Sequence, residues 1–300
     1  RMVYTHWLND RGGIEADLTV TRLAEDQYWI VSGASQTIKD LNWLDRNIAD
    51  NEFCCVSDIT NAWAVFGVQG PDSRALLSDT LNHDMTTESF GFGSFQSIEL
   101  GSTRGYAARV SYVGELGWEL YVPVDQARHG FDYLWDKGQS HGLTLAGMHA
   151  LDSCRMEKKF VHYGHDVAET DTPLECGMGF VCDFNKSDHF IGRDAILRQK
   201  ESRSFMKKRL VQFLLEDPEA MLYSHEPILR DGKIVGHLTS GNYGHTLGAS
   251  VGLGYIEVED DISADYLASG KIEINVAGVT IPAKASLVAQ YDPKAKRMRD

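Results

Sequence analysis

Apolar and polar residues alternate with a period of two through "MVYTHWL" and "DLTVTRL", on either side of the glycine turn "NDRGG", and again through "YWIVSG". That alternation predicts a glycine-turned strand meander over residues 1 to about 33. The period then lengthens. Ile38, Leu41, Leu44 and Ile48 recur at helical spacing and predict a helix over 37–51. The signal Gly70-Pro71 predicts a second, short helix over 73–81. Strands are expected in "AWAVFGVQG", "FQSIEL", "YAARVSYVG" and "WELYVP", followed by helices over 125–138 and about 147–160. Sheet and helix alternate without a regular βαβ rhythm, so the fold class is α+β. A polar stretch, "RQKESRSFMKK", reads as a linker or domain edge. Beyond it "RLVQFLLE", "PILRDGKIVGHLTSG", "SVGLGYIE" and "KIEINVAGVTIPAKA" are short alternating strands with turn residues between them, the pattern of a separate small β-barrel or sandwich. The expected division is 1–200 and 201–300.

Two stretches carry candidate chemistry. In "SYVGELGWELYVP", Trp118, Leu120 and Val122 fall on one strand face, and Glu119 and Tyr121 on the other. Gly114 and Gly117 bracket a turn that a flat ligand could approach closely. Glu119 is then either a solvated hairpin acid or a carboxylate facing a ligand. In "YTHWLNDRGGIEADLTV", Asp17 follows the glycine turn, either as a strand-edge acid or as a partly desolvated carboxylate facing a cleft.

Composition narrows the classes. The 300 residues carry 43% hydrophobic and 24% charged side chains, enough for two or three domain cores. A net charge of −14 argues against a nucleic-acid surface. No apolar run approaches the roughly 20 residues that span a bilayer. The five cysteines have no C-x-x-C spacing, which fits a reducing compartment and small core residues. His162, His165 and Asp166 have no second cluster to complete a metal site, so no metal is expected. "GFGSFQ" has two of the three glycines of a dinucleotide fingerprint, so neither FAD nor NAD is expected on this chain by that fold. Asp166, Glu169, Asp171 and Glu175 read as a solvated acidic loop with some capping value. The chain opens "RMVYTHW" without an initiator methionine, and upstream sequence is expected.

Taken together, "RGGIEADLTV", "VFGVQGP", "SYVGELGWELYVP", "LDSCRMEKKFVHYGHDVAETDTPLECGMGF" and "GHLTSG…SVGLGYI" resemble, in order and spacing, the glycine-cleavage T-protein family of tetrahydrofolate-dependent aminomethyltransferases. "ELGWELY" and "FIGRDAIL" look more like the C-terminal folate domain of dimethylglycine and sarcosine dehydrogenases. The resemblance implies a multi-domain cloverleaf with a C-terminal small β-barrel, truncated at its start.

It also implies an enzyme. Tetrahydrofolate would accept the methylene of an iminium derived from an N-methyl amine, giving 5,10-methylenetetrahydrofolate. FAD would sit on a separate flavin dehydrogenase module, on the same or another polypeptide. Neither a nucleic acid nor a membrane is an expected partner. The location implied is cytoplasmic, or the mitochondrial matrix in a eukaryote.

By motif, the family's catalytic aspartate falls on Asp17, and its folate-contacting residues on Tyr4, Tyr112 and Glu119. The free T-protein's folate-contacting arginine falls on Leu151. Arg155, one helical turn on, is either its substitute or part of a helix salt bridge. A free T-protein and a dimethylsulfoniopropionate demethylase-type methyltransferase share the scaffold and stand as alternatives. A non-enzymatic folate-binding protein of iron–sulphur assembly is disfavoured, because "EKKFVHYGHDVAE" lacks that group's cysteine motif.

Overall fold

The computed structural model describes residues 1–202, 205–257 and 262–300. The chain opens with a hairpin of β1 (Met2–Leu8) and β2 (Ile14–Arg22), whose turn is organised by one side chain. Asn9 Oδ1 accepts the N–H groups of Arg11 and Gly13, each at 3.0 Å, while Gly12 supplies φ +83°. β3 (Tyr28–Ser32) pairs antiparallel with β2, Leu18 opposite Ser32 and Arg22 opposite Tyr28.

Next come α1 (Thr37–Asn47), β4 (Trp63–Gln69), α2 (Ser73–Thr80), β5 (Phe95–Leu100), β6 (Thr103–Ala108), β7 (Gly117–Pro123), α3 (Ala127–Gly138), α4 (Met148–Glu157) and α5 (Arg193–Glu201). The remaining elements are β8 (Lys208–Leu215), β9 (Pro227–Arg230), β10 (Lys233–Gly244), β11 (Ala249–Glu257), α6 (Ala264–Ala268), β12 (Ile272–Val276), β13 (Val279–Ser286) and α7 (Lys296–Arg299). The fold is mixed helix and sheet, as the patterning predicts. None of the helices among the described residues is long and apolar enough to cross a membrane.

The chain divides into two compact units. The first comprises Arg1–Tyr4, Leu18–Ala146 and Ala295–Asp300, and the second Thr5–Asp17 and Gly147–Lys294. In the first unit an antiparallel sheet runs in the order β4-β7-β6-β5. One face carries Trp118, Leu120 and Val122 into a core with Leu76 and Leu77 of α2 and Leu134 of α3. Burying such side chains contributes about 1.5–3 kcal/mol each, which fixes which face of β7 turns inward. The opposite face packs aromatics: Trp29 of β3 meets Trp63 at 4.7 Å, Tyr106 at 5.2 Å and Phe95 at 5.8 Å between ring centroids.

In the second unit six strands close a barrel in the order β10-β11-β8-β13-β12-β9. Two of its hairpins turn through left-handed pairs, Asp231-Gly232 (φ 52° and 79°) and Ala277-Gly278 (φ 50° and 89°), the geometry that matches strand twist. Leu210, Val251, Leu253 and Tyr255 also face a second core, shared with Met156 of α4 and Ile196 of α5.

Three local expectations need correction. α1 stops at Asn47, and its predicted apolar face is only partly covered: Ile38 is 78% exposed and Leu41 and Leu44 are half-buried, whereas Asp40 is buried. Periodicity fixes which residues share a face, not which face another element covers. The stretch read as a linker from Arg198 is helical to Glu201, because α5 anchors Ile196 in the core; its residues 203–204 lie outside the described residues. The acidic run is not a solvated loop. Asp166, Asp171 and Glu175 are buried, each accepting backbone N–H bonds from its own turn or loop (His162, Ala168 and Thr172), and only Glu169 of the four is exposed.

Candidate functional site

β7 sets the environment of Glu119. Cross-strand register places Gly67 on one side of it and Ala108 on the other, so the pleat beside the carboxylate carries no bulky side chain. A Cβ built on Gly67 would meet only the Gln69 amide, at 3.9 Å. The Tyr121 hydroxyl, two residues on and on the same face, donates to Glu119 Oε2 at 2.5 Å. Among the described residues no cation pairs with Glu119. Burial pushes its carboxyl above the usual range, and the Tyr121 hydrogen bond only partly opposes that. Tyr121 itself is held protonated, by burial first and by the neighbouring carboxylate second. The result is a half-buried acid with one oxygen held by a phenol and no cation among the described residues.

In the same unit, Tyr4 lies on β1 and is partly exposed, while Tyr112 sits in the loop before β7. Gly114 in that loop takes φ +76°, and a Cβ on Gly117 would lie 2.8 Å from the Val68 carbonyl oxygen, too close for a side chain. Both glycines are therefore demanded by backbone geometry. Arg297 donates to both oxygens of Glu115, at 3.0 and 3.1 Å, which ties the loop to the C-terminal segment.

Asp17 belongs to the second unit, on β2 four residues beyond the tight turn. Gly13 admits no side chain, because a Cβ would lie 1.9 Å from the Glu169 carbonyl oxygen, and Ile14 N–H donates to Asp171 O at 2.9 Å. The turn end of the hairpin is thus pinned to the 169–171 segment. His6, across the hairpin, places Nε2 3.6 Å from Asp17 Oδ1. Burial pushes the imidazole down to about 4, so it faces Asp17 as a neutral dipole. Asp17 keeps a neighbour that does not neutralise it.

Arg155 spends its guanidinium inside the second unit. It donates to Asp152 Oδ1 at 2.7 Å, Asp166 Oδ2 at 2.5 Å, Ser240 Oγ at 3.0 Å and Phe160 O at 3.1 Å. Asp166 Oδ1 in turn accepts from Thr239 Oγ1 at 2.5 Å. Of the two sequence readings of Arg155, the helix salt bridge with Asp152 is the one this geometry displays. Among the described residues no group of three or more His, Cys, Asp or Glu is placed to hold a metal ion. Cys176 is buried in the core, whereas Cys54 and Cys55 are exposed.

Sequence reasoning passed over His6, Tyr121 and Gly67. For Tyr121 a signal existed, since the period of two already placed it beside Glu119, whereas His6 meets Asp17 only across the hairpin. Gly67 emerges only from the register between β4 and β7, which no local pattern encodes.

The GCVT N-terminal domain family matches residues 1–186, and the glycine cleavage T-protein C-terminal barrel domain matches residues 208–292. This chain belongs to the glycine-cleavage T-protein family. Among individual relatives it is 41% identical over 299 residues to a 4-methylaminobutanoate oxidase (formaldehyde-forming) of Paenarthrobacter nicotinovorans, covering 100% of this chain and 35% of that protein. It is 33% identical over 313 residues to mitochondrial sarcosine dehydrogenase of Mus musculus, covering 99% of this chain and 34% of that protein. The chain therefore spans about a third of the length of these relatives. The crystal structure of the glycine cleavage system aminomethyltransferase T from Bartonella henselae shares the fold with a TM-score of 0.79 at 23% identity, covering 94% of this chain and 74% of that one.

Proposed function

We propose that this chain is the folate module of a dimethylglycine or sarcosine dehydrogenase-type enzyme. In this reading it moves the methylene of an iminium, derived from an N-methyl amine, onto tetrahydrofolate and yields 5,10-methylenetetrahydrofolate. Residues 1–200 carry the folate-binding part and residues 201–300 the barrel. The iminium comes from an FAD-containing dehydrogenase module, on the same or another polypeptide. The observation that supports this best is Glu119, a half-buried carboxylate with no cation partner among the described residues, flanked by Gly67 and Ala108. Such a group fits a flat heterocycle with a paired N–H edge, because two charge-assisted hydrogen bonds supply what burial has removed.

Tetrahydrofolate, when bound, supplies the nucleophilic nitrogens that accept the one-carbon unit. The chain's residues do the rest. Glu119 orients the pterin, with Tyr121 fixing one oxygen so that the other stays available. Tyr112 and Tyr4 contribute aromatic area and hydroxyl partners. Asp17 stabilises developing positive charge and takes the proton released on ring closure. Arg155 serves through the network it holds in α4. Enclosure has a chemical purpose, since an iminium released to water hydrolyses to formaldehyde.

The test is a calorimetric titration of tetrahydrofolate into the intact protein and into Glu119→Ala, across pH. Losing the charge-assisted pair should weaken binding by roughly 1.5–3 kcal/mol, about ten- to a hundredfold. Because the ligand selects the ionised form of an acid whose proton is held tightly, wild-type affinity should fall as pH drops through the raised range of Glu119. Equal affinities, both independent of pH, would remove Glu119 from folate binding.

A further inference from the structure

α4 ends in a Schellman turn. Lys159 N–H donates to Met156 O at 3.0 Å and Phe160 N–H to Arg155 O at 2.9 Å, which leaves Lys159 in the left-handed region at φ 57°. Glycine is the ordinary residue there, because a Cβ crowds the following carbonyl. A lysine in its place carries a backbone cost, and a basic residue for the helix dipole is already present: Lys158 caps α4 and holds Asp292 at 2.9 Å. Lys159 differs from its neighbour. Its side chain is half-buried, it makes no hydrogen bond or ion pair among the described residues, and its Nζ lies 3.6 Å from where a Cβ on Gly177 would sit.

The groups whose charge acts on this amine are Cys176, Arg209 and Asp166, and Arg209 Nη2 approaches the same Gly177 position, at 3.7 Å. Each is otherwise committed. Asp166 is bonded to Arg155 at 2.5 Å, Arg209 donates to Leu174 O, and burial pushes the Cys176 thiol up to about 12, so it stays protonated. Burial, reinforced by Arg209 and opposed by Cys176 and Asp166, draws Lys159 down to about 8. Desolvation beside a second cation is the setting that frees a lysine lone pair near neutral pH. The Cys176 thiol also feels the charge of Asp17, so the amine and the candidate carboxylate both act electrostatically on one buried group.

We propose that Lys159 is a carbonyl-reactive amine, a site that holds formaldehyde or another small aldehyde as a reversible imine. The nitrogen lone pair attacks the carbonyl carbon, the π pair moves to oxygen, and a proton passes from nitrogen to that oxygen to give a carbinolamine. The nitrogen lone pair then expels the hydroxyl, which leaves as water with the second nitrogen proton, and the N-methylene imine remains. Water reverses the sequence, and no oxidant or reductant takes part. The biological sense of such a store rests on the one-carbon reading above; its chemistry does not.

The experiment exposes the intact protein at pH 7 to isotopically labelled formaldehyde, below the molar amount of lysine, with cyanoborohydride to trap the imine, and maps N-methyl-lysine by peptide mass spectrometry. Lys159 should be labelled about tenfold or more faster than the typical lysine, with a rate that levels off near pH 8. Lys159→Gly suits the left-handed backbone and should fold as well as or better than wild type, judged by its thermal midpoint. That variant should lose the fast label while other lysines react unchanged. Labelling of Lys159 at or below the rate of other lysines overturns the proposal, as does a fast label that persists in Lys159→Gly. Failure of the folate titration would leave these outcomes standing, so the two readings fail separately.

Discussion

Two carboxylates in this chain, buried Asp166 and half-buried Glu119, have opposite surroundings. In the second unit Asp166 accepts from Arg155, Thr239 and the His162 N–H, so each of its oxygens is occupied by protein. In the first unit Glu119 has one phenol donor, small residues on either side and no cation among the described residues. Burial costs both acids hydration, and only Asp166 recovers it from the protein. A fully satisfied acid is architecture, whereas an under-satisfied one leaves its energy for a ligand to supply. Charge in a family motif is therefore a poor guide to binding until its partners are counted.

The comparison can be broken most forcefully at Asp166. Arg155→Ala leaves that carboxylate buried without its cation and should destabilise the second unit by about 3–5 kcal/mol, read from denaturant unfolding. A loss under about 1 kcal/mol would mean the network is ornamental. Asp17, beside its neutral histidine, is an intermediate case. Asp17→Asn keeps shape and removes charge, and should slow single-turnover methylene transfer about a hundredfold, near 3 kcal/mol, with folate affinity retained. Equal rates would return Asp17 to a strand-edge acid.

The smallest effect is the pH dependence of stability at Glu119. Its folded pKa is raised by burial, so its contribution is fully present below the ordinary value of 4.5 and is lost as pH rises through the raised one. Glu119→Gln should therefore gain on wild type in unfolding free energy as the solution goes from acid to neutral. A gap that narrows over that range would mean the carboxylate already has partners in the free protein.

Strand content was legible because alternation and turn residues such as Asp231-Gly232 are local signals; they left barrel and sandwich open, and the family resemblance pointed to the barrel that closes here. The environment of Glu119 was half legible. Its strand face followed from Trp118 and Leu120, but the open pleat depends on Gly67, fifty-two positions earlier in the sequence and adjacent only through register. Asp166, Asp171 and Glu175 misled for a related reason. Their partners Arg155, Lys208, Thr172 and Thr239 include residues far along the chain, and an acidic run reads as solvated until those arrive. Arg155 pointed two ways, and only the geometry of Asp152 and Asp166 chose between them.

The Trp29–Trp63 pair has an optical consequence. Two indoles 4.7 Å apart and inclined at 69° couple their electronic transitions, and the coupling gives a circular-dichroism couplet whose sign follows their mutual twist. Because one indole rides on β3 and the other on β4, that couplet reports the seating of the meander on the four-stranded sheet, without any label or ligand. Trp29→Phe would keep an aromatic ring in place and silence the signal, which turns the first unit into its own spectroscopic gauge.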